Sequence, residues 1–218
     1  MSTRLNVVHG LAFAAGSALA CAASAQIVID GASRSVTLYH NGVVDATHSN
    51  STSGPWTGAS LLPNGFGVSQ ISSIGANLVE WDLVTNALPG SNFGGTGQYT
   101  SRTILTLDFH VDGPMPFQLS GSYFGGGGNH QLTLTRLADS FTYVNITSLT
   151  PSTTTYGYLN TMTAGAYRLT IDLGAVDNTG FPSNWSGVNH GSFQISPTPG
   201  AAAVGGLACA WGASRRRR

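Results

Sequence analysis

Thr103-Ile104-Leu105-Thr106-Leu107-Asp108-Phe109-His110-Val111-Asp112 is the stretch on which the fold turns. Leu105, Leu107, Phe109 and Val111 alternate with Ile104, Thr106, Asp108, His110 and Asp112. Successive side chains of a strand point to opposite faces, so a period of two predicts a strand with one buried face and one mostly wet face. Tyr167, Leu169, Ile171 and Leu173 alternate with Arg168, Thr170 and Asp172 in the same way, and Phe141, Thr142 and Tyr143 begin another such segment. Weaker strands are expected over residues 36–40, 71–83, 117–123, 132–137 and 192–195.

Turn chemistry separates these runs at close intervals: Asn41-Gly42, Pro63-Asn64-Gly65, Pro89-Gly90, Asp112-Gly113-Pro114, the four glycines Gly125 to Gly128, and Ala164-Gly165. The polar, Gly-rich segments 50–67 and 87–100 read as long loops. Many short strands with Gly and Pro punctuation and almost no helical period predict an all-β chain. The expected architecture is a single antiparallel β-sandwich or jelly roll with its two apolar faces packed together.

The ends read differently. Residues 1–25 have the build of a secretory signal: Arg4 for the n-region charge, an apolar run from Leu11 to Ala23, and Ala23-Ser24-Ala25 as a small-residue cleavage site before Gln26. At the other end, Pro197-Thr198-Pro199-Gly200 precedes an apolar run from Ala201 to Ala213, then Ser214 and the block Arg215, Arg216, Arg217 and Arg218. This order resembles the C-terminal sorting signal of the PEP-CTERM family. In that family a short Pro-containing motif precedes a membrane helix and an Arg-rich end, and exosortase-type machinery processes the tail.

The family's Pro-Glu-Pro reads here as Pro197-Thr198-Pro199, and the apolar run is short of the roughly 20 residues that span a bilayer. A transient signal tolerates this, and the four arginines would hold a translocated precursor on the cytoplasmic side. The resemblance implies an exported bacterial protein that touches the membrane transiently through its tail and is retained at the cell surface or in an extracellular matrix rich in polysaccharide. The expected organisation is a signal peptide (1–25), a β-sandwich domain (26–196) and a sorting tail (197–218).

Between Gln26 and Pro199 the basic side chains are Arg34, Arg102, Arg136 and Arg168, set against nine carboxylates, which leaves a formal charge of −5. Such a body cannot build the basic patch that nucleic acid requires. Cys21 and Cys209 both lie in the end segments, so the expected mature domain has neither thiol nor disulfide and depends on an ordinary core.

The chain has no Gly-x-Ser-x-Gly elbow and no His-Glu-x-x-His, and no catalytic residue is expected. Asp108, His110 and Asp112 fall on one polar strand face, where carboxylates and imidazole could hold a hard cation such as calcium, or where charge simply keeps the sheet soluble. Asp172, Asp177 and Asn178 form a second possible calcium cradle. Gly125 to Gly128 reads as a flexible hairpin connection. Trp56, Trp185 and Tyr99, with Phe93 and Phe181, lie amid Gly, Ser, Asn and Thr, where flat rings suit stacking on sugars or capping the open ends of the core. Three functions stay open: a non-catalytic surface or matrix protein, which the ends favour, a carbohydrate-binding module, or a secreted hydrolase.

Overall fold

The computed structural model describes residues 27–61, 67–87, 99–125, 129–148, 153–175 and 185–196. They form twelve strands: β1 (Ile27–His40), β2 (Val43–Asn50), β3 (Gly54–Leu61), β4 (Gly67–Ile74), β5 (Leu78–Ala87), β6 (Tyr99–Val111), β7 (Met115–Gly125), β8 (Asn129–Arg136), β9 (Thr142–Ser148), β10 (Thr153–Met162), β11 (Gly165–Ala175) and β12 (Trp185–Ile195). The alternating stretch quoted above falls in β6, which pairs antiparallel with β1 on one side and β11 on the other. Among the described residues no helix is long and apolar enough to cross a membrane.

Two six-stranded antiparallel sheets result: sheet I, ordered β2-β1-β6-β11-β8-β9, and sheet II, ordered β10-β7-β12-β5-β4-β3. Within them β5 pairs with β12, β6 with β11, β7 with β10 and β8 with β9. The pairs are nested and fall alternately in the two sheets, as when one long hairpin is rolled up, and this is the strand order of a jelly roll. The first four strands enlarge that roll. β1 and β2 extend sheet I beyond β6, while β4 and β3 extend sheet II beyond β5.

The expected core residues of β6 and β11 are all buried, none more than 2 % exposed. Phe109 of sheet I meets Phe193 of sheet II at 5.6 Å between ring centroids, and Phe193 meets Phe117 at 5.8 Å. The first pair joins the two sheets and the second packs within sheet II, each contributing about 0.5–1.5 kcal/mol beyond its buried area.

The interior also holds polar groups. The Asn189 carboxamide oxygen accepts from Trp81 Nε1 at 2.8 Å and from the Tyr156 hydroxyl at 3.0 Å. Its nitrogen faces His130 Nε2 at 2.5 Å, and the His130 ring stacks on Tyr123 at 4.2 Å. A network that begins in sheet II thus ends on a histidine of sheet I. Near the other end, fully buried Arg34 donates to Gly54 O at 2.8 Å, to Asn50 Oδ1 at 2.6 Å and to Thr52 O, pinning the crossing from β2 to β3.

Several expectations need correction. The segment 71–83 is not one strand: it holds the end of β4 and the start of β5, joined by a tight turn in which Gly75 N donates to Leu78 O at 2.9 Å. Part of the expected loop 50–67 is strand β3, and β1 begins nine residues before the predicted 36–40, hidden by the small polar run Asp30 to Ser33. β7 and β8, the strands before and after the four-glycine run, lie in different sheets and so are not a hairpin pair, while Gly126 to Gly128 lie outside the described residues. The Asn41-Gly42 turn is as predicted, with φ of 51° and 77°, the paired positive angles of a two-residue hairpin.

Candidate functional site

Asp108 and His110 lie on one outer face of β6 as the alternation requires, with Asp112 just beyond the strand's end at Val111, and Asp108 and His110 are turned to other partners. Asp108 accepts two bonds from Arg168, at 2.7 and 2.8 Å. His110 Nδ1 lies 2.8 Å from Asp30, while its Nε2 is 4.0 Å from Asp112, whose side chain is 63 % exposed. No group of three His, Cys, Asp or Glu able to hold a metal ion occurs among the described residues. Asp172 of the second expected cradle is bound to Arg102, and Asp177 and Asn178 lie outside the described residues.

The aromatic residues separate as well. Trp56 is not in a loop: it lies within β3, on the edge of sheet II, half-buried. Its ring covers Gly58, where an added Cβ would sit 2.3 Å from the indole, and Arg34 Cζ stands 5.5 Å from its centroid. That is a lid over the Arg34 pin. Tyr99 opens β6 and stacks on His40 at 4.4 Å. Trp185 opens β12, opposite Ala87 in the register. Phe93, Phe181, Pro197, Pro199, Gly200 and Arg215 to Arg218 lie outside the described residues, as does the signal segment.

A cleft of about 370 Å³, which no local sequence pattern announces, opens at the end of sheet I where β1 turns into β2. Tyr39, Arg102, Asp172 and Asn129 line it, with the hydroxyl-bearing Thr100 and Ser101 and the bare backbone of Gly42 and Gly174. The register explains the opening. Arg102, Gly174 and Asn129 stand in one row across β6, β11 and β8, so the missing side chain at Gly174 leaves a gap between a guanidinium and a carboxamide. A Cβ there would make ordinary contacts of 3.9 Å with Arg102 Cγ and with the backbone oxygens of Asn129 and Ser101, so the position would take a methyl group without a clash.

Arg102 Nε donates to Asp172 Oδ1 at 2.8 Å, and Nη2 to Oδ2, a two-pronged pair. The arginine is 48 % exposed and the carboxylate 11 %, so the pair forms a wall of the cleft and is not wholly closed off. The hydrogen bond to Asp172 raises the Arg102 pKa above its ordinary value, with burial opposing it. Opposite charges in contact leave the wall close to neutral while keeping strong donors and acceptors side by side. The sequence did hold a signal for this wall: Arg102 and Asp172 both continue the polar faces of the two most regular strands, though nothing in the spacing says that they meet.

No family model matches the chain, and no curated protein matches it. Among solved structures it is similar to the enzymatically active domain of tailspike protein 4 of bacteriophage CBA120, at 8 % identity and a TM-score of 0.31, over 75 % of this chain and 19 % of that one. It is also similar to the structure of infectious bursal disease virus Gt strain, at 11 % identity and a TM-score of 0.28, over 79 % of this chain and 57 % of that one. The chain therefore spans less than two thirds of the length of either. The jelly-roll assignment rests on the strand order.

Proposed function

We propose that this is an exported, non-catalytic cell-surface or matrix protein whose jelly roll binds neutral polysaccharide in the cleft between Tyr39 and Asn129. The observation that carries the reading is the Arg102–Asp172 pair beside an open glycine floor. A sugar hydroxyl both donates and accepts, so it can bridge a carboxylate and a guanidinium that already face each other, and a neighbouring tyrosine ring offers an apolar wall for a sugar face. The neutral wall, in a body of net charge −5, favours an uncharged polymer over an anionic one. The sorting ends support the location: an exosortase-type enzyme is the expected processing partner, and the tail the expected membrane contact.

The test uses the whole chain expressed in a bacterium that carries such machinery. Mass spectrometry of the surface protein should find an N-terminus at Gln26 and no Arg215 to Arg218, with neither Cys21 nor Cys209 present. Recovery of an intact arginine terminus outside the cell would end the sorting reading. In a pull-down panel the protein should be retained by neutral glucans or mannans and not by alginate or polygalacturonate. Retention should be insensitive to salt, since screening weakens charge–charge attraction and leaves neutral contacts in place. Retention by the anionic polymers alone, lost in salt, would overturn the binding reading.

A further inference from the structure

Each sheet ends in two edge strands, and an edge presents a row of backbone donors and acceptors that can pair with another chain. Three of the four edges carry features that discourage this. β2 bears Asp45 and is bent by a bulge opposite Leu38 and Tyr39. β3 contains Pro55 and starts at Gly54 with φ of 89°. β9 is seven residues long and slips register at Leu134 and Thr135 of its neighbour.

β10 has none of them. Its ten residues, Thr-Thr-Thr-Tyr-Gly-Tyr-Leu-Asn-Thr-Met, pair with β7 in one unbroken register from Thr153 to Met162. It contains no proline and no charged side chain, and neither does β7 apart from Pro116. Leu159 is 81 % exposed and Tyr158 38 %. Residues 26–199 sum to −5, although the full chain with its terminal arginines is neutral, so faces that bear carboxylates disfavour one another when two copies approach. The β7–β10 margin is where they can meet without bringing charges of the same sign together.

We propose that β10 is an assembly edge, pairing antiparallel with β10 of a second copy of this chain to join the two sheets II into one. The pairing is self-complementary, because antiparallel strands about a two-fold axis place each residue opposite its mirror position. Opposed residues must turn their backbone groups both toward the partner or both away from it, so one residue lies opposite its own copy, and near-complete overlap of the ten residues puts the axis at Gly157 or at Tyr158. In either register all but one residue finds a partner, every pair is uncharged, and Leu159 gains a cross-strand neighbour, Thr155 or Gly157. The contact closes at two copies, since each molecule uses up its β10.

The inference is independent of sugar binding, since β10 belongs to sheet II and the cleft to sheet I. Sedimentation velocity of the full chain should show a monomer–dimer equilibrium that shifts with concentration. Leu159→Asp should weaken it by at least about tenfold, because it sets carboxylates into the new seam. Thr57→Asp, on the defended edge β3, should leave it unchanged. Amide exchange in 153–162 should slow as the wild-type concentration rises, a readout that needs no variant. A protein that stays monomeric, one that forms open-ended oligomers, or a dimer that Thr57→Asp breaks and Leu159→Asp spares would each overturn the proposal.

Discussion

His130 is fully buried with Asn189 against its Nε2, and the bonding of that amide decides the histidine's charge. The Asn189 oxygen is occupied by Trp81 and Tyr156, so its NH₂ must face the ring and Nε2 must accept. A proton on Nε2 would set donor against donor. Burial adds to this and lowers the pKa from 6.5 to about 4, with Asp172 opposing weakly. The folded protein therefore holds His130 neutral where the unfolded chain would begin to protonate it. Its contribution is complete above pH 6.5 and is lost as the pH falls from 6.5 towards 4, below which both states carry the proton. The loss should be roughly 3 kcal/mol across that window. Urea midpoints at pH 7 and pH 4.5 should differ clearly in the wild type and much less in His130→Gln.

Tyr156 reaches this network because two central strand positions are glycine. A Cβ on Gly191 would lie 2.5 Å from both the Tyr156 hydroxyl and Trp81 Cζ2, and one on Gly121 would lie 2.2 Å from His190 O. Gly191→Ala should cost about 1–3 kcal/mol through overpacking, and more if Trp81 loses its bond to Asn189. Calorimetry would check it: an unchanged melting temperature would mean that the rings have room which the geometry denies them.

Among the elements, β6 and β11 were legible because each is central in sheet I with one dry and one wet face. Leu107→Ala in β6 should cost about 2–5 kcal/mol, the range for a fully buried leucine. β10 and β3 were not legible, since β10 is exposed on both faces from Gly157 to Thr161, while β3 alternates in burial but puts Gly54, Gly58 and Ser60 on its covered face, so neither shows the apolar alternation that marks a strand. Trp56 illustrates the consequence. Set amid glycine and threonine it reads as a loop ring open to sugar, whereas in β3 it lies over Gly58 and Arg34. Trp56→Ala should lower the melting temperature by uncovering the Arg34 pin, and should leave polysaccharide retention unchanged. Loss of retention with an unaltered melting temperature would restore it as a binding residue.

At the scale of the molecule, the sequence announced two packed antiparallel sheets through its periodicity but not their order. Jelly-roll order depends on pairs such as β5 with β12, joining residues about a hundred positions apart, which no local pattern encodes. The cleft shares that limit. Tyr39, Arg102, Asp172 and Asn129 come from β1, β6, β11 and β8, and each looked ordinary in its own strand. What could be read early was composition: few charges, cysteines confined to the two end segments, and ends whose build resembles export and sorting signals.

The claim that this cleft binds neutral polysaccharide is tested most directly by affinity electrophoresis of the full chain through gels containing the polymer that retains the wild type, run beside Asp172→Asn and Arg102→Gln. Asp172→Asn preserves side-chain size and removes the buried charge, so it is the variant whose melting curve should stay near the wild type. Arg102→Gln is shorter and leaves the 11 % exposed carboxylate unpaired, so its retention is read at a temperature well below its own melting point. Each should weaken retention by about tenfold or more, as expected when a polar site loses one member of a charged hydrogen-bonding pair. Wild-type retention in both variants, with the fold intact, would contradict it.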